Sequence, residues 1–393
     1  MSTVTVVLAA ASSASLVAWC VNAFLRGRFW TTAVRLPPGT PPGPHPSVVV
    51  VVPARDEAEL LPRTLPTLLA QEYPGALSVV LVDDRSSDGT GRLARELARG
   101  AGRALDVVGG SDPPPGWAGK VWALACGVAA APPSEYLLLS DADITHGPDS
   151  VSRLVALAVA DDRDLVSVMA RLRCEGGWER LVVPAFVYLF ALLYPFRWVN
   201  SPARRTAAAA GGCLLVRRDA LEESGGLEAI KGALIDDVSL AAAVARRARG
   251  GAARLWLGLH GEVRSLRAYP RLGDLWDMVA RSAYTQLRRS PLLLAGTLAG
   301  LLLLFAVPPA AVILGAMTWG SGGAWALGAG AAAWLILAAS EVPMLRYYGL
   351  APWRALALPA VGLLYGAMTG DSALRHWRGR AGSWRGRPVA GPA

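Results

Sequence analysis

The 393-residue sequence predicts an α/β domain of Rossmann-like type, with transmembrane helices before and after it. Three observations carry this expectation. Long uncharged stretches lie at the two ends, while residues 50–290 hold most of the carboxylates. Two β-branched runs, "SVVVVVPARDE" and "ALSVVLVDDRSSDGT", each end on acids, as expected of strands buried on both faces of a parallel sheet. Between them "AELLPRTLPTLLAQ" has helical spacing, which makes a βαβ unit.

Residues 4–25 are free of charge for about the length of a bilayer-spanning helix, and Arg26, Arg28 and Arg35 follow. A cleavable signal would place its positive charges before the apolar core, so this segment reads as an uncleaved anchor. The arginines after it direct the main domain to the cytoplasm by the positive-inside rule. "RLPPGTPPGPHPS", residues 35–47, is a proline-rich spacer that can form neither a helix nor a central strand. After the first βαβ unit come the helix "GRLARELARG", the strand "ALDVVGG", the helix "VWALACGVAAA" and the apolar run "EYLLLSDAD". The acidic stations thus fall at the carboxyl ends of successive parallel strands, where open α/β sheets place ligands.

"WERLVVPAFVYLFALLYPFRWVN", residues 178–200, is apolar but carries two prolines and has Trp and Arg at its ends, so it is expected to lie in the membrane interface. From residue 291 two long apolar spans and a shorter third segment near 355–370 follow. The tail "RHWRGRAGSWRGR" holds five arginines. The short segment is therefore expected to be re-entrant or interfacial, which keeps the tail on the cytoplasmic side. The expected order is an anchor (1–28), a linker (29–47), a catalytic domain (48–290), a membrane region (291–370) and a basic tail (371–393). This describes a multi-pass protein of the cytoplasmic (inner) membrane.

The net charge of +9 does not imply nucleic acid, because the basic residues flank apolar segments and form no stripe interleaved with aromatics. Anionic headgroups suit them better. Cys20, Cys126, Cys174 and Cys213 are far apart, without zinc-type spacing or a disulfide framework. Lys120 and Lys231 are the two lysines among 39 basic residues, so a lysine here stands out.

Four groups could carry chemistry. Asp83 and Asp84 at a strand end could accept hydrogen bonds from a base or a ribose, or could simply cap the next helix. Asp88-Gly89 reads as turn chemistry. Lys120, at a helix start after Gly116 and Gly119, could cradle a diphosphate, or be a solvated surface lysine. Asp141 and Asp143 are alternate residues, so on an extended strand end they would point the same way and could share one hard divalent ion, Mg²⁺ or Mn²⁺, completed by phosphate oxygens. Asp236 and Asp237 head a helical run, where they could answer the macrodipole or, in a carboxylate form, serve as general base. Gln286, Arg288 and Arg289 lie at a membrane boundary, where headgroup contact is the default reading.

Taken in order, "VVVVVPARDE", "VLVDDRSSDGT", "GKVWALACG", "LLLSDADITH", "GGCLLVRRDALEESGG", "LIDDVSLA" and "QLRRS" resemble the successive motifs of the family 2 type of inverting, membrane-anchored glycosyltransferases. "SWRGR" is similar to a Trp-Arg-Gly-Arg signature that follows the last membrane segment in that group. "IDDVSLA" and "TQLRRSPLLLAGT" look most like the hopene-associated glycosyltransferases of hopanoid gene clusters, with ceramide glucosyltransferases more distant. The resemblance implies a GT-A fold and transfer of a hexosyl group from a nucleotide-sugar, UDP-linked, to a membrane lipid, with a hopanoid as the suspected acceptor. It implies donor contacts from Pro53, Arg55, Glu57, Asp83, Asp84, Lys120, Asp141, Gln286 and Arg289. It also implies metal handling by Asp143 with Asp141, and Asp237 as base beside Asp236. Asp236 stands where the family has glutamate, and Ser290 where it has the tryptophan of Gln-x-x-Arg-Trp. The second departure argues against polymer synthesis and for a single transfer.

Two other readings compete. Asp141-Ala142-Asp143-Ile144-Thr145 also fits the Asp-x-Asp-x-Thr of haloacid dehalogenase-type phosphohydrolases, with Asp141 as nucleophile, but there the motif strand opens the domain and residues 48–130 would be unexplained. A non-catalytic membrane scaffold would be expected to have lost at least one of the acidic stations.

Overall fold

The computed structural model describes residues 3–41, 43, 45–101, 103–247, 254–319 and 322–379, and the backbone of 383–384 and 387–388. Residues 380–382, 385–386 and 389–393 of the basic tail, with Arg385 and Gly386 of "SWRGR", lie outside the described residues. The chain divides into two units, one holding Met1–Ala33, Cys174–Arg197 and Tyr269–Arg380, the other Val34–Arg173 and Trp198–Ala268.

The second unit is built on one eight-stranded sheet. The β-branched run forms β1 (Val48–Ala54), fully buried along its length, and the next run forms β2 (Leu77–Asp83). β3 (Leu105–Gly109) and β4 (Tyr136–Ser140) complete a parallel set in the order β3-β2-β1-β4. The helices between them are α1 (Leu61–Leu69), α2 (Thr90–Arg99) and α3 (Gly119–Ala130). Gly127 of α3 lets that helix sit on the sheet: a Cβ there would come within 2.5 Å of Val51 and 2.8 Å of Val82. Each buried Val or Leu of these strands contributes about 1.5–3 kcal/mol relative to exposure.

Past β4 the sheet changes character. A two-residue β5 (Ile144–Thr145) is followed by α4 (Ser150–Ala160), β6 (Leu165–Arg171), β7 (Cys213–Arg217), the short α5 (Arg218–Glu223), α6 (Asp236–Arg247) and the long β8 (Leu255–Ser265). The order continues β4-β7-β6-β8-β5. β7 runs antiparallel to both β4 and β6, β8 is parallel to β6, and β5 is antiparallel to β8. The result is a Rossmann-like α/β domain with a mixed sheet, as expected of the GT-A type.

The other unit is helical. Among the described residues, four helices are long and apolar enough to cross a membrane: Thr3–Leu25, Gly177–Val199, Pro291–Met317 and Ala324–Tyr347. Over half of the apolar window in Gly177–Val199 is buried against protein. The hydroxyl of Tyr188 on that segment lies 2.6 Å from Ser340 Oγ, and Tyr365 donates to the Val182 carbonyl at 3.1 Å. The segment near 355–370 forms part of a continuous helix, Leu358–Trp377. Glycines permit close helix contact, since a Cβ at Gly330 would sit 2.7 Å from Ala311 and one at Gly362 would run into the Phe305 ring at 2.3 Å.

Candidate active site

At the carboxyl ends of β1 and β2, several polar side chains hold the loops. Asp88 accepts from the Ala58 amide (2.9 Å) and from the Thr90 amide (3.0 Å) and hydroxyl (2.6 Å), which is the turn role expected of it. Asp56, held at φ 51°, accepts from the amide and hydroxyl of Ser87. Asp83 accepts from the Ser86 amide at 3.0 Å, and its carboxylate packs so closely on Gly91 that a Cβ there would come within 2.2 Å of Oδ2. Asp84 is fully buried. Arg55 donates to its carbonyl at 2.7 Å and reaches its carboxylate at 3.6 Å. Of the pair, Asp83 keeps some exposed surface. Pro53 is paired with Val82 inside the sheet.

The main polar cluster forms at the end of β4. Lys120, on the first turn of α3, places Nζ 2.8 Å from Asp141 Oδ1 and 3.1 Å from Asp236 Oδ2. It is therefore a partly buried bridge between two acidic stations, not a solvated surface lysine. Burial works against its charge, but Asp141 and Asp236 outweigh burial and push the ammonium's pKa up, so it stays protonated. Asp237, beside Asp236 on the first turn of α6, accepts from the Gly211 amide (2.8 Å) and from the Val238 amide (2.7 Å). Burial and the neighbouring Asp236 charge raise its pKa to about 7, against the opposing pull of Lys120 and the two amides. Lys120, Ser140, Asp141, Gly211, Asp236 and Asp237 line one cavity, with Leu124, Leu139, Leu214 and Leu240 also on its walls.

The Asp-x-Asp geometry differs from the expected extended strand end. β4 stops at Ser140, and Asp141-Ala142-Asp143 makes a tight turn in which the Ile144 amide returns to the Asp141 carbonyl at 3.2 Å. The two carboxylates consequently meet different partners. Asp141 faces Lys120, whereas Asp143, only 7% exposed, accepts from Ser265 Oγ at 2.8 Å and Arg267 Nε at 3.2 Å. Arg267 also binds Glu57 Oε1 at 2.7 Å, so it ties the first loop of the domain to the Asp143 turn.

The donor set suits a hard divalent ion. Five carboxylates, from Glu57, Asp141, Asp143, Asp236 and Asp237, face two cations, Lys120 and Arg267, and burial raises the pKa of Asp141 even with Lys120 in contact. Surplus buried negative charge borne on oxygen is what Mg²⁺ or Mn²⁺ neutralises.

Gln286 and Arg289 belong to the helical unit. There Gln286 Nε2 donates to the Tyr194 hydroxyl, and Arg289, at φ 54°, gives its carbonyl to the Tyr284 hydroxyl at 2.7 Å. Three contributors carried no assigned role in the sequence: Ser265, Arg267 and Gly211. An arginine in a chain where arginine is the usual cation gives no signal. The Gly211-Gly212 pair was visible, and its role depends on β7 pairing with β4, after which the Asp141 amide donates to the Gly212 carbonyl at 3.4 Å.

The chain is 28% identical over 200 residues to the probable glycosyltransferase YdaM of Bacillus subtilis (strain 168), covering 50% of this chain and 46% of that one. It is 31% identical over 112 residues to the 4,4'-diaponeurosporenoate glycosyltransferase of Staphylococcus aureus (strain bovine RF122 / ET3-1), covering 28% of each. The chain thus spans less than half the length of these two relatives. Among solved structures, the mannosyltransferase PcManGT from Pyrobaculum calidifontis, in complex with GDP-Man and Mn²⁺, superposes with a TM-score of 0.54 at 22% identity, over 94% of this chain and 99% of that one. The fold is shared. These matches do not favour the phosphohydrolase or scaffold readings, and the Asp-x-Asp strand is the fourth of its sheet rather than the strand that opens the domain. Residues 49–225 match the model of Glycosyl transferase family 2.

Proposed function

We propose that the protein transfers one sugar from a nucleotide-sugar, UDP-linked, to a lipid in the cytoplasmic membrane, with inversion of configuration, and that the acceptor is a hopanoid. One observation carries the chemistry: Lys120, Asp141, Asp236 and Asp237 converge on a single cavity at the end of β4, with Asp143 on the same turn. That cavity holds a cation for a leaving diphosphate and a carboxylate of suitable basicity for a hydroxyl nucleophile. The hopanoid assignment is supported by the resemblance of "IDDVSLA" and "TQLRRSPLLLAGT" to hopene-associated transferases, and the membrane setting by the four apolar helices.

In this reading Asp237 takes the proton from the acceptor hydroxyl as its oxygen attacks the anomeric carbon. Its pKa of about 7 leaves the base form well populated near neutral pH while keeping real proton affinity. The Gly211 and Val238 amides hold the carboxylate in place. The Lys120 ammonium, already balanced between Asp141 and Asp236, receives the negative charge of the departing diphosphate. Asp143, with Asp141 in support, would hold Mg²⁺ or Mn²⁺, which when bound supplies further charge neutralisation at the diphosphate. Asp83 offers its exposed edge to the uridine, while Asp84 braces Arg55 from within the core. A single displacement needs no carboxylate nucleophile. On the acceptor side, the proposal takes the reacting hydroxyl from a lipid of the bilayer.

The deciding experiment incubates the purified protein, in lipid nanodiscs, with UDP-sugars, Mg²⁺ or Mn²⁺ and a hopanoid, and reads glycolipid by mass spectrometry and anomeric configuration by NMR. A single added hexose of inverted configuration is expected. Equal transfer to soluble acceptors, with no gain from lipid, would overturn the lipid assignment.

A further inference from the structure

At the outer edge of the same sheet, a second group of side chains has unfinished bonding. His260 lies on β8, opposite Ala170 of β6, and Glu262 follows two residues later. Asp149 immediately precedes α4. One ligand atom from each of the three lies within 4.8 Å of the others. Donors about 2.0–2.2 Å from a common ion sit about 3.4 Å apart in a tetrahedral shell, so small side-chain rotations would close the set.

Each member shows a feature that an ion would explain. His260 is 6% exposed, and its Nε2 has no hydrogen-bond partner. Asp149 stands at a helix start, where an aspartate ordinarily accepts from the first-turn amides, yet it makes no capping bond and its buried Oδ1 has no partner. Glu262 folds inward over Gly147, where a Cβ would come within 2.2 Å of its Oε2, so only glycine leaves it room. His146, also buried, lies close enough to His260 for their charges to interact, bonds Ser140 through Nε2 at 2.9 Å, and leaves Nδ1 without a partner. Leaving buried polar atoms unpaired is costly, so a run of them in one place calls for a reason. Arg153 does not supply it. Its guanidinium is anchored on the Leu36 and Pro37 carbonyls, reaches Asp149 only at 3.7 Å, and offsets one of the two carboxylate charges.

We propose that Asp149, His260 and Glu262 bind a divalent transition-metal ion, Zn²⁺ by its ligand chemistry, which pins β8 to the loop that follows β5. One imidazole nitrogen with two carboxylate oxygens suits zinc, whereas Mg²⁺ and Ca²⁺ take oxygen donors. Burial, and then Arg153, lower the pKa of the His260 ring, which favours the neutral form that metals bind. This site is separate from the Asp-x-Asp turn: none of its three residues lines the carboxylate cavity, and Asp143 is held by Ser265 and Arg267 instead. Its effect is to fix the edge strand that carries Ser265 and leads into Arg267. The site stands whether or not the chain transfers sugar.

The test uses the full chain in detergent, stripped with chelator, reloaded with Zn²⁺ and desalted, with bound zinc read by elemental analysis and unfolding followed by heating. His260→Gln removes the imidazole. Glu262→Gln alters an exposed position and guards against a folding defect, and Asp143→Asn disables only the other site. Wild type and Asp143→Asn are expected to retain one equivalent of zinc more than either His260→Gln or Glu262→Gln, and only they should gain several degrees in unfolding midpoint on reloading. Co²⁺ in place of Zn²⁺ should give a visible absorption band in wild type that His260→Gln lacks. Equal zinc content and equal midpoint shifts in wild type and both edge variants would overturn the proposal.

Discussion

The two halves of the sheet tie down their acidic residues in different ways. In β3-β2-β1-β4 three loop acids are closed by their own or the adjacent loop, Asp83 by Ser86, Asp56 by Ser87, Asp88 by Thr90 and Ala58, and Glu57, held by Arg267, is the exception. Where β4 meets β7, and along β8, partners come from far away in the chain. Ser265 and Arg267 reach Asp143 across 122 and 124 residues, and Asp236 comes from α6 to share Lys120 with Asp141. The first half holds its loops in shape. The junction gathers charge that nothing local neutralises, and such charge is available for chemistry.

If that contrast is right, the largest functional losses belong to the junction. Asp237→Asn is expected to lower kcat by about 10²–10⁴-fold, with UDP binding retained, as measured by product formation and by calorimetry. Lys120→Ala should cost about 10²–10³-fold in kcat and also destabilise the fold, because Asp141 and Asp236 are left in a partly buried site without their cation. Adding Asp236→Asn to it should recover part of the unfolding midpoint and none of the activity, which separates the two roles.

The pH dependence sharpens the same point. Because Asp237 must be ionised to act as base, kcat/KM should rise with pH through an apparent pKa of about 7. Its contribution to stability has the opposite sign. The folded pKa is raised from the ordinary 3.8, so between about pH 4 and pH 7 the folded state binds more protons than the unfolded state, and this contribution declines as pH rises through that window. Asp237→Asn should flatten that decline in denaturant titrations at successive pH values.

Smaller effects test the remaining links. Arg267→Ala frees Asp143 from a competing cation, so the Mn²⁺ concentration for half-maximal activity should fall about tenfold, as ~1.4 kcal/mol of competition would give. The first half supplies the smallest expected change. Asp88→Ala should lower stability by about 1 kcal/mol and leave kcat within a few-fold, and a loss comparable to that of Lys120→Ala would break the contrast between the halves.

The sequence was most readable where structure is local. β-branched runs with intervening helical spacing gave β1, β2, β3 and β4 and their helices, and the glycine at Asp88-Gly89 marked a turn. The same reading did not anticipate that Asp141 and Asp143 diverge, because the end of β4 depends on β7 and β8 lying beside it. Strands β6, β7 and β8 went unmarked for a related reason. Their place in a mixed sheet comes from pairing across long loops, which no window of neighbouring residues records.

By itself, the sequence determined the parallel half of the sheet, the apolar segments at both ends, and the acidic stations with one unusual lysine among them. Only the tertiary structure decided that Lys120 joins Asp141 to Asp236, that Arg267 closes on Asp143, and that Asp149, His260 and Glu262 meet at an edge. Secondary structure follows from side-chain periodicity over a few residues, whereas the pKa of Asp237 and the charge state around it depend on burial and on neighbours that only the folded sheet brings within a few ångströms.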